Sequence, residues 1–450
     1  MNKLILIIAL LILHSVAAQD SAIEFNTVED AINYAIENNH NLSKSRIDQE
    51  IILAQISEVK GRALPQVNVN GQFSDNYSLQ QQLLPAEIFG GEPGTTVEVA
   101  FGNRYQFTGG LSVQQQLLNF QLFSSIKSTA ALKELRNLQT LETTQDLIIN
   151  VVQTYIQIQV FEKQVALLEQ NYERTDNLIE LSDYKLKEGI IKKLDVNQLM
   201  VNRSNLKTQI EDAEFGKNQQ LRLFKVLLAL PLDSEVLLKE QLEDRPAAQL
   251  NEELTLNANL QYQQLEKSIE LSVLDQKLVR SEYLPSLNAF WNYNYLGQAN
   301  EFGFSGDAYQ DQFSGIWGLA ATIPIFDGFQ RGKRLKQKKL ETDKLEKDRE
   351  QLVLNMEKEF NDAKEQLLLS TIQIESQNSN MNLAQENYDG IKMSYTEGVA
   401  DLTELLDSEF ALREAQSNYL NALLQSKVSE LALLRSSGQL SQLISQPINN

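Results

Sequence analysis

Cysteine is absent from the 450 residues of the chain, and histidine occurs only at His14 and His40. The absence of cysteine excludes disulfides, thiolate metal sites, cysteine nucleophiles and a lipid-modified N-terminal cysteine. Because His14 lies in a segment that we expect to be removed, a histidine-based catalytic or metal constellation within one chain is excluded as well. We therefore expect no catalytic site, no cofactor and no resident metal.

Basic residues are also scarce, because 40 Lys and Arg residues stand against 60 Asp and Glu residues, a net charge of −20. This acidic balance argues against a nucleic-acid surface. The local exception is a basic cluster: Arg331, Lys333, Arg334, Lys336, Lys338 and Lys339. Two interpretations of it stay open, a solvated start of a helix and, if that end lies near a membrane, contact with lipid headgroups.

Beyond its start, the chain has no run of 18 apolar residues that would cross a bilayer as a helix. An apolar stretch from Leu4 to Leu13 follows Lys3 and precedes the small residues Val16-Ala17-Ala18. This pattern predicts a secretory signal peptide over residues 1–18 and an exported mature chain. A membrane β-barrel remains compatible with this hydropathy, because its strands leave only a weak trace.

Glycine and proline are missing from residues 121–188, where apolar residues recur at helical spacing. The pattern predicts a coiled-coil-like helix of roughly 100 Å. It ends at Gly189, and a second helix is predicted over residues 192–228. The same order returns later in the chain, with a long helix over 329–397, a stop at Gly398 and a helix over 401–436.

A period of two appears in four other segments, which we predict to be strands at about 65–77, 105–117, 286–296 and 312–325. Each has one polar and one apolar face, with Phe290 as an exception. The aromatic residues of the apolar faces form a candidate membrane belt: Tyr77, Tyr105, Trp291, Tyr293 and Trp317. Residues 78–103, rich in Gly and Pro, are predicted to be a long loop, and residues 27–60 and 258–281 to be helices.

The two halves of the chain are repeats of one pattern. Leu64-Pro65 matches Leu284-Pro285, and residues 110–119 align without gaps on residues 318–327. We predict a first repeat over 19–230, a connector over 231–257, a second repeat over 258–436 and a tail over 437–450.

Four amphipathic strands cannot cover both of their faces alone. Aromatic and aliphatic residues on one side and Gln and Asn on the other are typical of an outer-membrane barrel with a water-filled lumen. A soluble β-sandwich is the alternative. Because four strands do not close around a channel, several chains must share one barrel.

In this order of elements the chain resembles the TolC family of outer-membrane efflux ducts, over essentially the whole mature length. The motifs that carry the resemblance are Leu-Pro before each first strand, Ile325-Phe326-Asp327-Gly328, Gly189 through Asp195-Val196, and Tyr395 through Gly398 to Leu405-Leu406. The long first loop, Leu84-Pro85 to Phe101-Gly102-Asn103, also resembles members from Bacteroidetes-like bacteria. The resemblance implies a mainly α protein with a membrane β-barrel: a homotrimer with a 12-strand barrel and an α-helical periplasmic tunnel.

The resemblance also implies partners and a gate. The tip glycines, Gly189 and Gly398, would dock to a periplasmic adaptor that serves an inner-membrane pump. Tyr395 and Asp195 match the family's gating tyrosine and its partner aspartate. The acids Glu404 and Asp407 match its acidic rings, and would project six carboxylates into the opening of a trimer. The family's arginine is Ala400 here, so the lock is at best partial.

The sequence leaves three candidate functions. An export duct of a tripartite efflux or type I secretion system fits the two repeats with amphipathic strand pairs. A periplasmic coiled-coil adaptor would have one helical hairpin beside a lipoyl-like domain. A secreted hydrolase would use paired carboxylates such as Glu404 and Asp407, which here lie on a helix without a substrate-binding domain. The sequence does not identify the cargo.

Overall fold

The structure of the protein, a computed structural model, describes residues 22–242, 253–303 and 309–440. Its described residues divide into two units. The helical unit comprises the described residues within the ranges 22–48, 137–266 and 348–440, and the sheet unit those within 49–136 and 267–347. The predicted signal peptide at residues 1–18 lies outside the described residues, as does most of the tail.

Helices make up most of the described chain. They are α1 (Val28–Asn38), α2 (His40–Gly61), α3 (Phe120–Lys187), α4 (Lys193–Leu227), α5 (Leu260–Ser281), α6 (Gln330–Thr396) and α7 (Leu402–Ser436). The strands are β1 (Ile23–Phe25), β2 (Gln66–Asp75), β3 (Gln81–Pro85), β4 (Thr96–Ala100), β5 (Tyr105–Leu118), β6 (Val236–Leu238), β7 (Ser286–Ala299) and β8 (Gln310–Thr322). No helix among these is both long and apolar enough to cross a bilayer.

The two halves have matching helix lengths. The long helices α3 and α6 hold 68 and 67 residues, and the helices that follow them, α4 and α7, hold 35 each. Helix α6 runs through Gly390 without a break. Helix α4 includes Gly216, where an added Cβ would lie 2.6 Å from the ring of Phe161 on α3. A glycine therefore lets α3 and α4 pack closely at this level.

The single helix predicted over residues 27–60 is wrong, because Asn39 divides it into α1 and α2. The backbone of Asn39 is extended (φ −61°, ψ 127°). Its side-chain oxygen accepts hydrogen bonds from the backbone N–H groups of Asn41 (2.8 Å) and Leu42 (3.0 Å). Its amide nitrogen donates to the carbonyl of Leu227 (2.7 Å). A buried asparagine thus caps α2 and interrupts an otherwise helical pattern.

The core of the helical unit lies among α1, α3, α4 and α7. Its largest fully buried side chains include Tyr155 and Ile148 on α3, Phe224 on α4 and Ile32 on α1. Strands β1 and β6 pair in parallel at the edge of this core, so the predicted irregular connector over 231–257 contains a strand.

The sheet unit is built on one antiparallel sheet with the strand order β2-β5-β7-β8. The register places most apolar side chains of all four strands in the same rows, and most polar side chains in the rows between them. One row holds Val67, Val113, Trp291 and Trp317, and the adjacent row holds Asn68, Ser112, Asn292 and Ile316. Since directly paired residues share a face, the sheet has one mainly apolar face and one mainly polar face.

Phe290, the exception in the predicted alternation, lies on the polar face opposite Gly318. Its ring passes so close that a Cβ on Gly318 would lie 2.9 Å from it. The glycine therefore provides the space for an aromatic ring on this face.

The loop predicted over residues 78–103 is only partly a loop. Strands β3 and β4 within it pair antiparallel, from Gln81 opposite Ala100 to Pro85 opposite Thr96. The β-branched residues of Thr96–Ala100 favour a strand, and the surrounding glycines and prolines hid that signal. The strand predicted at about 65–77 is β2, which ends at Asp75. Tyr77 therefore lies beyond the paired residues of this strand and not within them.

All four strands of this sheet are connected to helices at the same end of the strands. Helices α2 and α5 lead into the starts of β2 and β7, and the ends of β5 and β8 lead into α3 and α6. In the register, the start of β2 lies opposite the end of β5, and the start of β7 lies opposite the ends of β5 and β8. The junctions between helix and strand therefore form one rim of the sheet unit.

Candidate functional site

Both helical hairpins of the helical unit turn at a glycine with a left-handed backbone, Gly189 (φ +75°) and Gly398 (φ +80°). The N–H of each glycine donates to the carbonyl three residues earlier, at 3.0 and 3.2 Å. The N–H of the next residue, Ile190 or Val399, donates five residues back, at 2.8 Å in each case. This paired arrangement is the Schellman motif, which ends a helix where glycine permits a positive φ.

The two tips also share an exposed apolar residue. Ile190 is 68 % exposed and Val399 is 80 % exposed, and no atom of the described chain lies within 4 Å of a Cβ added to either glycine. The glycines are therefore required by backbone conformation and not by crowding within the chain.

The helices that leave the tips begin with hydrogen-bonded caps that involve two of the predicted gate residues. The carboxylate of Asp195 accepts from the N–H of Lys192 at 2.9 Å. On the other hairpin, Asp401 and Glu404 exchange such bonds, at 2.9 Å from the N–H of Glu404 and at 3.4 Å from the N–H of Asp401. Asp195 and Glu404 therefore each stabilise the start of a helix.

Tyr395 is buried at the tip and contacts α3. Its hydroxyl lies 3.3 Å from the hydroxyl of Ser182. The ammonium of Lys185 donates to the carbonyl of Tyr395 at 3.1 Å and lies 4.4 Å from the centre of its ring. Among the described residues, no hydrogen bond joins Tyr395 to Asp195. Within one chain, then, the tyrosine is held by Ser182 and Lys185, two residues that the sequence analysis missed.

Apolar packing surrounds this tyrosine. The tip core consists of Leu178, Ile179, Leu199, Tyr388, Tyr395, Leu402, Leu405 and Leu412. Ala400, at the position of the family's arginine, packs against this core. Ala400 therefore contributes apolar packing and no charge at this position.

The acids Glu404 and Asp407 lie together on an exposed face of α7. They line a groove of about 790 Å³ whose opposite side is formed by α6, with Asn387 and Ser394 among its residues. No group of three potential metal-ligating side chains occurs in the part of the chain that the structure describes.

A second polar cluster lies deeper in the same bundle, around Glu409, which is 2 % exposed. Its carboxylate accepts hydrogen bonds from the hydroxyl of Thr175 on α3 (2.9 Å) and from the amide of Asn202 on α4 (3.1 Å). Next to this cluster, the side-chain amide of Asn171 donates a hydrogen bond to the side-chain oxygen of Gln416 at 3.0 Å. These contacts join the second hairpin to both helices of the first.

Tyr388 on α6 lies at the edge of this cluster and is 1 % exposed. Burial raises the pKa of its phenol to about 12, the negative charge of Glu409 acts in the same direction, and Arg174 opposes it. The guanidinium of Arg174 lies 5.3 Å from the centre of the tyrosine ring. Tyr388 is therefore a neutral aromatic residue at any physiological pH.

Four of the five predicted belt aromatics share the apolar face of the sheet. Trp291 is directly opposite Trp317 and stacks on Tyr293, with ring centres 6.3 Å apart. Tyr105 stacks on Phe73 at 6.2 Å. Trp317 is 78 % exposed, so much of this aromatic surface is uncovered in the single chain.

The fold of the chain is similar to that of several solved membrane channels. The chain is similar to CusC (TM-score 0.72, 18 % identity, 91 % of each chain covered). It is similar to the CmeC channel of Campylobacter jejuni (0.72, 16 %, 92 % of this chain and 85 % of that one). The open-state MtrE channel of Neisseria gonorrhoeae also matches (0.68, 16 %, 96 % and 95 %). No curated protein sequence matches the chain.

A family model described as outer membrane efflux protein matches residues 31–223 and 250–439. The chain belongs to this family. It is an outer-membrane exit duct of an efflux system, and the family is one of transport channels and not of enzymes. This assignment confirms the predicted family and decides against the adaptor and hydrolase alternatives. The two matched segments correspond to the two predicted repeats.

Proposed function

We propose that three copies of the chain form one duct by pairing the edges of their sheets, and that the duct continues from the outer membrane into the periplasm. The observation that supports this is the sheet with two open edges. Each outer strand, β2 and β8, has one partner among the described residues. Long unpaired edges are templates for another strand, and pairing β2 of one copy with β8 of the next would close a ring of twelve strands.

The two faces of the sheet give the ring its orientation. The apolar face would turn outward to lipid, with Trp291, Tyr293 and Trp317 in the hydrocarbon or at its interface. The polar face would line a water-filled lumen. Tyr105 belongs to the same outward face, and Tyr77 would sit beyond the strands.

The tips are the proposed docking points for a periplasmic adaptor and, through it, an inner-membrane pump. Gly189 and Gly398 each offer an open turn followed by an exposed apolar side chain. Exposed apolar residues at a turn suit the insertion of a partner's helical tip, because burying them releases hydration water. Channels of this family generally work as homotrimers with such partners.

The proposed gate lies at the same tips. Tyr395, held by Ser182 and Lys185, would keep the second hairpin against the first in the closed duct. Asp195 would serve as a further partner of this tyrosine when neighbouring copies are present. Glu404 and Asp407 would line the opening and favour cations.

The absence of cysteine provides a clean test of the trimer. Asn70 on β2 and Ser314 on β8 belong to one row of the polar face. We expect a variant with cysteines at both positions, treated with a short bismaleimide in outer membranes, to give crosslinked dimers and trimers and no larger species. Each single-cysteine control should stay monomeric. Crosslinked products that stop at dimers, or that are larger than trimers, would contradict a closed ring of three chains.

A further inference from the structure

We propose that the start of α6 and the segment before it form a binding surface for anionic lipid headgroups. The surface consists of Lys333, Lys336 and Lys339 together with the apolar residues of segment 323–329. The proposal rests on the proposed function, because it requires the sheet unit to be inserted in the membrane.

The six cations of the basic cluster divide into two sets. Three have partners: Arg331 pairs with Asp327 at 2.6 Å, Arg334 with Glu282 at 2.6 Å, and Lys338 with Glu341 at 2.8 Å. The other three, Lys333, Lys336 and Lys339, are exposed, and their ammonium groups make no ion pair or hydrogen bond with any residue that the structure describes. The structure thus leaves free charges at every third position.

Residues three apart on a helix are neighbours on its surface. The free lysines therefore form one strip that extends about 9 Å along the axis. Three ammonium groups at this spacing repel one another unless an anion lies between them. A surface of phosphate groups would provide such anions.

The strip begins in the first turn of α6, which contains no acidic residue. The first turn of a helix carries partial positive charge, so a cation at Lys333 is disfavoured unless an anion lies nearby. Lys336 and Lys339 follow in the next turns and extend this positive surface, in a chain whose net charge is −20.

Segment 323–329 exposes large apolar side chains beside the strip. Ile325 is 92 % exposed, Phe326 74 % and Phe329 72 %. The two phenylalanine rings meet edge to face, with centres 5.4 Å apart. Phe329 also has a left-handed backbone (φ +65°), which is rare for a residue with a bulky side chain. No residue of the described chain covers these groups.

The order along the chain is that of a membrane interface. Strand β8 ends at Thr322, the apolar segment follows, and the lysines come one to three turns later. Hydrocarbon, interfacial aromatic residues and phosphate would occur in the same order at a bilayer surface.

The paired cations keep this segment in place. The guanidinium of Arg331 is buried, donates to the carbonyl of Glu282 at 2.9 Å and lies 4.7 Å from the ring of Tyr283. Arg331 also holds the pKa of the Asp327 carboxyl below its ordinary value, through hydrogen bonds. The surface is therefore anchored to the end of α5 by contacts that do not involve its free lysines.

Tryptophan fluorescence provides the test, because Trp291 and Trp317 are the only tryptophans and both lie in the sheet. The assembled protein is reconstituted in vesicles that contain either dibrominated phosphatidylcholine or dibrominated phosphatidylglycerol in mixtures with the unbrominated lipid. Quenching by each lipid gives the preference for the anionic headgroup. The variant is K333Q/K336Q/K339Q, and the matched control, K344Q/K358Q/K392Q, removes three lysines further along α6.

Each lysine near an anionic surface strengthens binding about fivefold. We expect the preference for phosphatidylglycerol to fall at least fivefold in K333Q/K336Q/K339Q and to remain in the control and in K333R/K336R/K339R. High salt should remove the preference of the wild type, because it screens the charges. Equal preferences in all variants, with quenching by phosphatidylcholine intact, would overturn the headgroup surface while leaving membrane insertion in place. Absence of quenching by both lipids would overturn both proposals.

Discussion

At the scale of residues, Glu409 is a buried carboxylate in a seam of α7 that is mostly apolar. Positions 402, 405, 409, 412, 416, 419 and 423 are separated by the alternating steps of three and four that define a coiled-coil seam. Five of them hold buried apolar or aromatic residues: Leu402, Leu405, Leu412, Tyr419 and Leu423. Glu409 and Gln416 stand in the same seam and are buried too. Polar residues in such a seam are typical of sites that set the register between helices.

Glu409→Ala should lower the free energy of unfolding by about 2–3 kcal/mol, because it leaves the buried hydroxyl of Thr175 and the half-buried amide of Asn202 without their charged acceptor. Glu409→Gln, which keeps one acceptor oxygen, should lower the free energy of unfolding by less. Thermal unfolding of the purified protein, followed by circular dichroism, measures the difference. Glu414→Ala, an exposed site on the same helix, is the control, with an expected change within about 0.5 kcal/mol. Equal melting of the two alanine variants would remove Glu409 from the network.

The sequence contains the signal for this network, since Glu409 and Gln416 interrupt the apolar positions of α7 at heptad spacing. Glu404 and Asp407 were predicted instead, because their spacing from Gly398 resembles that of the acidic rings of the TolC family. Ser182 and Lys185 could not have been found as partners of Tyr395 from spacing, because their contact joins two helices more than 200 residues apart in the chain.

At the scale of elements, the facing of the sheet can be tested at two neighbouring residues of β2. Val69 belongs to the apolar face and Asn70 to the polar face. Val69→Arg should destabilise the inserted sheet by about 2–4 kcal/mol if it lies near the midplane, because arginine would enter hydrocarbon. Asn70→Arg, with the same added charge in the lumen, should be tolerated. The yield of assembled protein in outer-membrane fractions measures both, and a loss confined to Asn70→Arg would reverse the assigned faces.

Substitutions at the tip glycines can separate the effect of the left-handed backbone from the effect of side-chain size. Asparagine tolerates the left-handed backbone of Gly398, whereas tryptophan adds both strain and size. Gly398→Trp should abolish export and copurification of the adaptor while oligomers persist, and Gly398→Asn should retain both. Normal export by Gly398→Trp would leave this glycine as a helix cap alone.

The long helices and the strands of the sheet were predicted within a few residues, because glycine-free runs and a period of two are strong local signals. The break at Asn39 was missed, since the hydrogen bond from Asn39 to Leu227 that supports it is not local. The strands β3 and β4 were missed for a different reason, because short strands among glycines and prolines have the composition of a loop.

At the scale of the whole molecule, the acids at the tips determine the expected ion preference. Glu404→Ala/Asp407→Ala should reduce cation selectivity and weaken block by divalent cations, because six carboxylates would be lost from the opening of a trimer. Single-channel recordings in planar bilayers measure both quantities. The control, Glu386→Ala/Glu414→Ala, removes as many charges from exposed sites outside the groove. Selectivity and block that match the wild type would place the two residues outside the pore.

The assembly itself follows less directly from the sequence than the fold of one chain. Four amphipathic strands indicate that a partner is required, because they do not close alone. The number of copies depends on the tilt and stagger of strands across contacts between chains, which no periodicity within one chain encodes.

The short parallel pair of β1 and β6 has a consequence for the order in which the chain folds. Ile23 lies opposite Val236, so the pairing closes a loop of 213 residues although it joins only three residues of each strand. The entropy lost in closing so long a loop is not recovered until α1, α3 and α4 pack around it. During synthesis and export, the segment at Ile23–Phe25 must therefore wait until the whole first repeat has emerged. We expect refolding to have a slow phase that ends with this closure, and a nascent chain stopped before residue 236 to leave its leading strand open to chaperones and proteases.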